Sequence, residues 1–306
     1  VFDDNIGNPA YVLQLVLTGV VNGSLYAFAA LAFVMAYRAS SHINLAATEL
    51  ASLGAFVVLA LTGLGLPPWI AIVLGLGVSF LMGAAVERLL IRPAEKRSEF
   101  AVILTTVALI LIVGSLTGIV WGTDVLPGLA PFGDGRGVIA EGPPRVSISA
   151  AHLGVLVSLA VVVTGLLLLM RRTSLGLAFR ALMSNRESSA LVGISPTRLA
   201  VIGWGIAGVI GTAGAVLVSA SIGTIDFMMM VPLLIYGIAA ATLGGFDSIV
   251  GAVVGGIAVG LLVNTVPGLL SFIPGEMGFV VALAVILVVL LVRPQGLFGY
   301  VRSERV

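Results

Sequence analysis

The chain has no cysteine, one lysine, two histidines and a charged fraction of only 9% in 306 residues. Without cysteine there are no disulfides and no thiolate chemistry, and the redox compartment stays open. The one lysine, Lys96, sits in the string RPAEKRSE, so no phosphate-binding GxxxxGK[ST] loop exists. ATP-driven work must therefore come from another subunit. His42 and His152 have no cysteine to join them in a zinc site, and neither GxSxG nor HExxH occurs. These absences exclude a nucleophile–base constellation. The chain is expected to be no enzyme, with no catalytic residues, no metal and no cofactor of its own. Soluble domains usually carry about 25% charged residues, so this chain cannot cover its surface in water.

What is present is apolar: 59% of residues are hydrophobic. Runs near the length of a bilayer core recur at 11–37, 45–63, 68–89, 100–121, 149–170, 199–221, 228–244, 249–266 and 277–293. Continuous runs, rather than short alternating ones, exclude a β-barrel. The expected fold is an all-α polytopic membrane protein with about 8–9 transmembrane segments, a single domain over 1–306. Segment 228–244 is short and 249–266 is Gly-rich, so either a full span or a half-span fits each. The first residue is Val rather than Met, compatible with a start inside a longer gene product or after processing.

The charge is placed more tellingly than its total of +1 suggests. Thirteen of the 15 Lys and Arg residues fall at Arg38, Arg88–Arg97, Arg171–Arg198 and Arg293–Arg305; Arg136 and Arg145 lie apart. By the positive-inside rule the thirteen are cytoplasmic and the loop 122–148 is external. Nine crossings would then put the N-terminus outside and the C-terminus inside. The external loop, rich in Gly and Pro, reads as mostly irregular. On the inner side, ERLLIRPAEKRSE (Glu87–Glu99) is broken by Pro93, and Arg171–Arg198 reads as an amphipathic helix, 174–194, stopped by Gly193 and Ser195-Pro196. Its basic face suits anionic lipid, but Asn185, Glu187, Ser188 and the tight stop point further, to docking on a cytoplasmic protein.

Polar residues inside the apolar segments are the candidates for the path. Glu49 in HINLAATELASLGAF has two readings: a lining group together with Asn44, or a shallow acid that pairs with Arg38 or snorkels. Thr105 and Thr106, Asn22, Ser24, Asn264, Tyr236 and Thr242 read first as hydrogen-bonding glue between helices and second as substrate contacts. Gly251, Gly255, Gly256 and Gly260 form two overlapping GxxxG patterns, and Gly208, Gly211 and Gly214 are similar; packing within the chain is favoured over a subunit interface.

Five strings, GVVNGSLYAFAALAFVMAYR, INLAATELASLGAF, FRALMSNRESSALVGISPTRL, TLGGFDSIVGAVVGG and LLVRPQGLFG, carry a resemblance that runs over nearly the whole chain. Together they resemble the LivH-type permease subunits of branched-chain amino acid ABC importers. The resemblance implies a type II-like ABC importer permease in a bacterial inner membrane, working by alternating access as half of a translocation path. It implies as partners a second, different permease of LivM type, two cytoplasmic ABC ATPases that carry ATP and Mg, and an extracytoplasmic solute-binding protein, with no nucleic acid. By the same resemblance Arg180, Ala181, Asn185, Glu187, Ala190, Leu191, Gly193 and Ile194 engage the ATPase. Asn44 and Glu49 match polar positions of the second segment, with Thr105, Thr106 and Tyr236 as further path candidates. The family usually has His-Gly where this chain has Ala47-Thr48, which puts a backbone break there in doubt. Substrate identity stays open between branched-chain amino acids, urea, short amides and aromatic acids. A secondary transporter or channel for small amphiphilic solutes is the alternative; it would need several intramembrane acids or broken helices.

Overall fold

The computed structural model describes residues 8–133, 135–140, 146–270, 274, 277–293 and 295–299. Arg145, Arg302 and Arg305, and the side chains of Arg136 and Glu187, lie outside that description. The chain begins with α1 (Pro9–Ser40), α2 (Ala47–Gly63) and α3 (Pro68–Val86); a π-helical turn, Glu87–Ile91, leads into α4 (Arg92–Glu95) and then α5 (Glu99–Trp121). Two short strands, β1 (Leu126–Pro127) and β2 (Arg136–Ala140), precede β3 (Val146–Ser149) and α6 (Ala150–Arg172). Next come α7 (Ser174–Ser184), α8 (Arg186–Leu191), α9 (Pro196–Ile222), β4 (Thr224–Ile225), α10 (Val231–Gly244), α11 (Ile249–Leu269) and α12 (Gly278–Val292).

Each of the nine apolar segments is a helix. Among the described residues six helices are long and apolar enough to cross a membrane: α1, α3 with its extension to Glu95, α5, α6, α9 and α11. The apolar α2, α10 and α12 are shorter, at 17, 14 and 15 residues. At 1.5 Å per residue α10 reaches about 21 Å, short of a bilayer core of about 30 Å. It is lodged against α1, α11 and α12, which bury its C-terminal half from Ala239 to Thr242.

The core is built around α1. Asn8 caps it by accepting from the Ala10 N–H, Pro9 occupies the first turn, and Ser41 ends it with a left-handed φ of 62°. Every residue from Gly23 to Ala36 is buried, as expected of a helix apolar on all sides. Its neighbours are α9, α10 and α11. Small residues set these distances. A Cβ on Gly260 would meet backbone atoms of Gly23 and Gly19, and one on Gly256 would meet Ala27; on Gly251 and Gly255 it would meet Gly244 and Ala240 of α10. The two glycine patterns of α11 thus serve two different faces, one toward α1 and one toward α10. Gly208, Gly211 and Gly214 of α9 lie against Ser79, Ala51 and Phe28.

A buried indole adds a polar tie. Trp204, 1% exposed, donates from Nε1 to Ser40 Oγ at 3.1 Å. Ser40→Ala would leave that N–H buried without its acceptor and is expected to cost about 1–3 kcal/mol. The change should appear as a lower unfolding temperature in detergent; an unchanged temperature would show that the bond contributes nothing net.

Two expectations need correction. The loop between α5 and α6 carries more regular structure than expected: β2 and β3 form an antiparallel hairpin with a bulge between Val138 and Ala140, and β1 pairs with β4 beyond α9. The β-branched residues of GVIA and VSIS favour strand. The segment 174–194 is two helices rather than one, because Asn185 adopts extended geometry (φ −155°, ψ 114°) and its side chain caps α8. Its Oδ1 accepts from the Ser188 N–H at 2.8 Å.

Candidate functional site

One end of the bundle gathers the Arg-rich elements. α7 is capped by Thr173 and seats Gly176, Phe179 and Leu182 into the core, three positions at helical spacing. Its other side leaves Leu177 and Arg180 exposed; Ala181 is half-buried. Among the described residues Arg180 has no hydrogen bond or ion pair. Beyond the Asn185 hinge, α8 exposes Ala190 and Leu191, the latter 88% accessible. Gly193, at φ 88°, closes the helix: its N–H donates to the Ala190 carbonyl and the Ile194 N–H donates to that of Ser189. This paired pattern satisfies the last carbonyls and needs a residue free to be left-handed. Ile194 packs on the core, and Ser195 with Pro196 starts α9 immediately. Arg180 and Leu177 are exposed on α7, and Leu191 and Val192 are exposed at the end of α8.

The polar path candidates fall into two groups. At the α1–α2 junction Asn44 is buried and its Oδ1 accepts from the Ala46 N–H at 3.1 Å, turning the chain into α2. The break comes before Ala47, so no glycine is needed at Thr48. Glu49 lies in the first turn of α2, 4% exposed, where the helix N-terminus favours negative charge. It has no ion pair among the described residues. Arg38 donates instead to the Asp247 carbonyl at 3.0 Å. Glu49 faces α5 at Gly114, where an added Cβ would come 3.5 Å from Oε2. Thr48 and Ser52, one turn apart on α2, bury hydroxyls with no hydrogen-bond partner among the described residues. Neither was singled out as a candidate from the sequence, because unpaired hydroxyls leave no signature in it.

Thr105 and Thr106 return their hydroxyls to the Ala101 and Ile103 carbonyls of their own helix, at 2.7 and 2.9 Å. They do not bridge helices. Cross-helix polar contact occurs elsewhere: Asn22 donates to Asn264 at 3.0 Å, and one turn along α1 Tyr26 stacks on Tyr236 at 4.6 Å. Tyr236 thus belongs with α1, and Glu49 with the α2–α5 side. His152 closes a capping box with Ser149 at the start of α6.

The fold and this surface define a multi-pass membrane transport subunit. The chain matches the family described as branched-chain amino acid transport system / permease component over residues 15–290, and it belongs to that family. Similar curated proteins include the high-affinity branched-chain amino acid permease LivH of Escherichia coli K12, 26% identical over 97% of this chain and 98% of that one. BraD of Pseudomonas aeruginosa is 26% identical with the same coverage. A probable LivH of Methanocaldococcus jannaschii is 29% identical over 94% of this chain and 92% of that one. Among solved structures, PsaBC from Streptococcus pneumoniae in complex with Fab aligns with a TM-score of 0.48 and 16% identity over 95% of each chain.

Proposed function

We propose that this chain forms one half of the membrane path of an ATP-driven importer for branched-chain or related amino acids. The observation that carries the reading is family membership over 15–290, a range that takes in nearly all the crossing helices. The other half is a second permease of LivM type. Two ATPases, holding ATP and Mg, dock on α7 and α8 at the basic end, which is the cytoplasmic one. The hairpin end is external and receives a loaded solute-binding protein. ATPase closure moves α7 and α8, and the helices they adjoin rock between outward- and inward-open arrangements. The external loop 122–148 and the coupling segment 174–194 are the two contact regions of a single permease domain, in an inner membrane with the C-terminus inside.

The solute path runs beside α2 and α5. A buried acid with no ion pair, on the same helix as two hydroxyls without a partner among the described residues, is a polar waypoint. It suits a zwitterion with a branched aliphatic side chain. Glu49→Gln keeps the shape and removes the charge, so uptake should fall about tenfold if a charge-assisted hydrogen bond to the passing solute is lost. Uptake equal to that of the parent, with the complex intact, would take Glu49 out of the path.

The reading as a whole is tested by co-purification in mild detergent followed by reconstitution. A second permease and an ATPase with a phosphate-binding loop should accompany the chain, and leucine uptake should need ATP and the binding protein. A chain that transports alone in liposomes would overturn the assignment in favour of a secondary carrier.

A further inference from the structure

Arg186 opens α8, and its guanidinium reaches two other elements. Nη2 lies 3.2 Å from Glu95 Oε1 at the end of α4, and Nη1 donates to the Ser40 carbonyl at the end of α1, 3.0 Å away. A cavity of about 390 Å³ adjoins this bridge, lined by Ser40, Ser41, His42, Glu95, Glu99 and Arg186. Ser40 leads through the Ser41–Ala46 link into α2, and Glu95 leads through three residues into α5. The guanidinium therefore spans the basic-end approaches to the two helices that face each other at Glu49 and Gly114. Among the described side chains, Arg186 alone ties α8 to these approaches by polar contacts.

We propose that Arg186 is a latch: it holds the cytoplasmic ends of α2 and α5 together and lets go when the ATPases displace α8. The proposal rests on the importer reading above. Three physical features fit the role. The planar guanidinium fork can satisfy a carboxylate and a carbonyl at once, which a lysine point charge does less well. Both members of the ion pair are about one-third exposed, at 36% and 33%, so water stands ready to replace the contact and its exchange is cheap. Phe179 and Leu182 seat α7 in the core, whereas α8 buries only Ser189 among its described side chains and joins α7 through the single extended residue Asn185. Movement of α8 thus pulls on the latch before it disturbs the packed helices, and the cavity leaves room for the side chain to travel. Arg186 touches no solute; it acts by positioning α2 and α5.

The test uses the complete transporter with its own partner subunits in proteoliposomes. Arg186→Ala should lower leucine uptake per ATP hydrolysed by about tenfold while hydrolysis continues. Arg186→Glu should behave alike, and adding Glu95→Arg to it should recover a large part of the loss. That recovery would show that the ion pair itself, rather than either residue alone, sets the coupling. Because the chain has no cysteine, Ile43→Cys and Phe100→Cys place two spin labels at the ends of α2 and α5. Without nucleotide, Arg186→Ala should shift their distance distribution toward separation. Unchanged uptake per ATP in Arg186→Ala, no recovery in the charge swap, or an unshifted distribution would each overturn the latch. Failure of the parent complex to import leucine would instead count against the importer reading, and the spin-label distances would still decide the latch.

Discussion

Gly260→Val is expected to remove folded chain from the membrane rather than to slow transport. The atoms that a Cβ would meet are the Gly23 N and Cα and the Gly19 carbonyl, all backbone. The approach is mutual, since a Cβ on Gly23 would lie 2.7 Å from Ile257 Cα and 2.8 Å from the Gly256 carbonyl. α1 cannot simply step back. On its other sides Gly237 lies against Ala29 and Phe33, and Gly214 lies against Phe28. Overpacking costs about 1–3 kcal/mol where side chains can adjust; here only a shift of whole helices relieves it, so the cost should sit at the upper end or above. Gly77→Val is the matched control, because nothing lies within 4 Å of its added Cβ. Size-exclusion profiles of tagged variants should show Gly77→Val monodisperse and Gly260→Val aggregated or missing. Equal profiles would mean that α1 and α11 are less closely apposed than described.

Much of this architecture was legible in the residues because lipid leaves few choices. A run of about 20 apolar residues must hydrogen-bond its backbone internally, so the nine segments had to be helices. The glycine spacing of α11 was readable as close packing, but not that one pair meets α1 and the other α10. The break at Asn185 had a signal that the amphipathic pattern hid. Asn followed by Arg-Glu-Ser is a helix start, and it cuts the segment where period alone runs on. The hydroxyls of Thr105 and Thr106 were beyond sequence reasoning, since a helical Thr can bond its own turn as easily as a neighbour. So was the site around Arg186, whose partner at Ser40 is 146 residues away. Of the readings of Glu49, the one that pairs it with Arg38 rested on nearness in sequence; the fold brings the Asp247 carbonyl to Arg38.

Arg180→Glu should abolish ATP-dependent uptake in a chain that folds and inserts as before. The two halves of that expectation have separate physical grounds. Folding is spared because Arg180 is exposed and has no hydrogen bond or ion pair among the described residues, while Gly176, Phe179 and Leu182 keep α7 in place. Surface substitutions of this kind usually change stability by no more than about 0.5 kcal/mol. Coupling is expected to be lost because a cation with no ion pair among the described residues, one turn from exposed Leu177 on α7, is available to an anionic partner group. Reversing its sign sets like charges together at the interface, a penalty of several kcal/mol. That would reduce ATPase binding by about a hundredfold or more. The measurements are membrane abundance, ATPase co-purification and uptake, made on the same preparation. Normal abundance with lost co-purification and lost uptake is the expected pattern. Arg180→Gln should fall between, since it removes attraction without adding repulsion. If Arg180→Glu imports at the parental rate, the ATPase must seat elsewhere, with Leu191 and Val192 the next surface to alter.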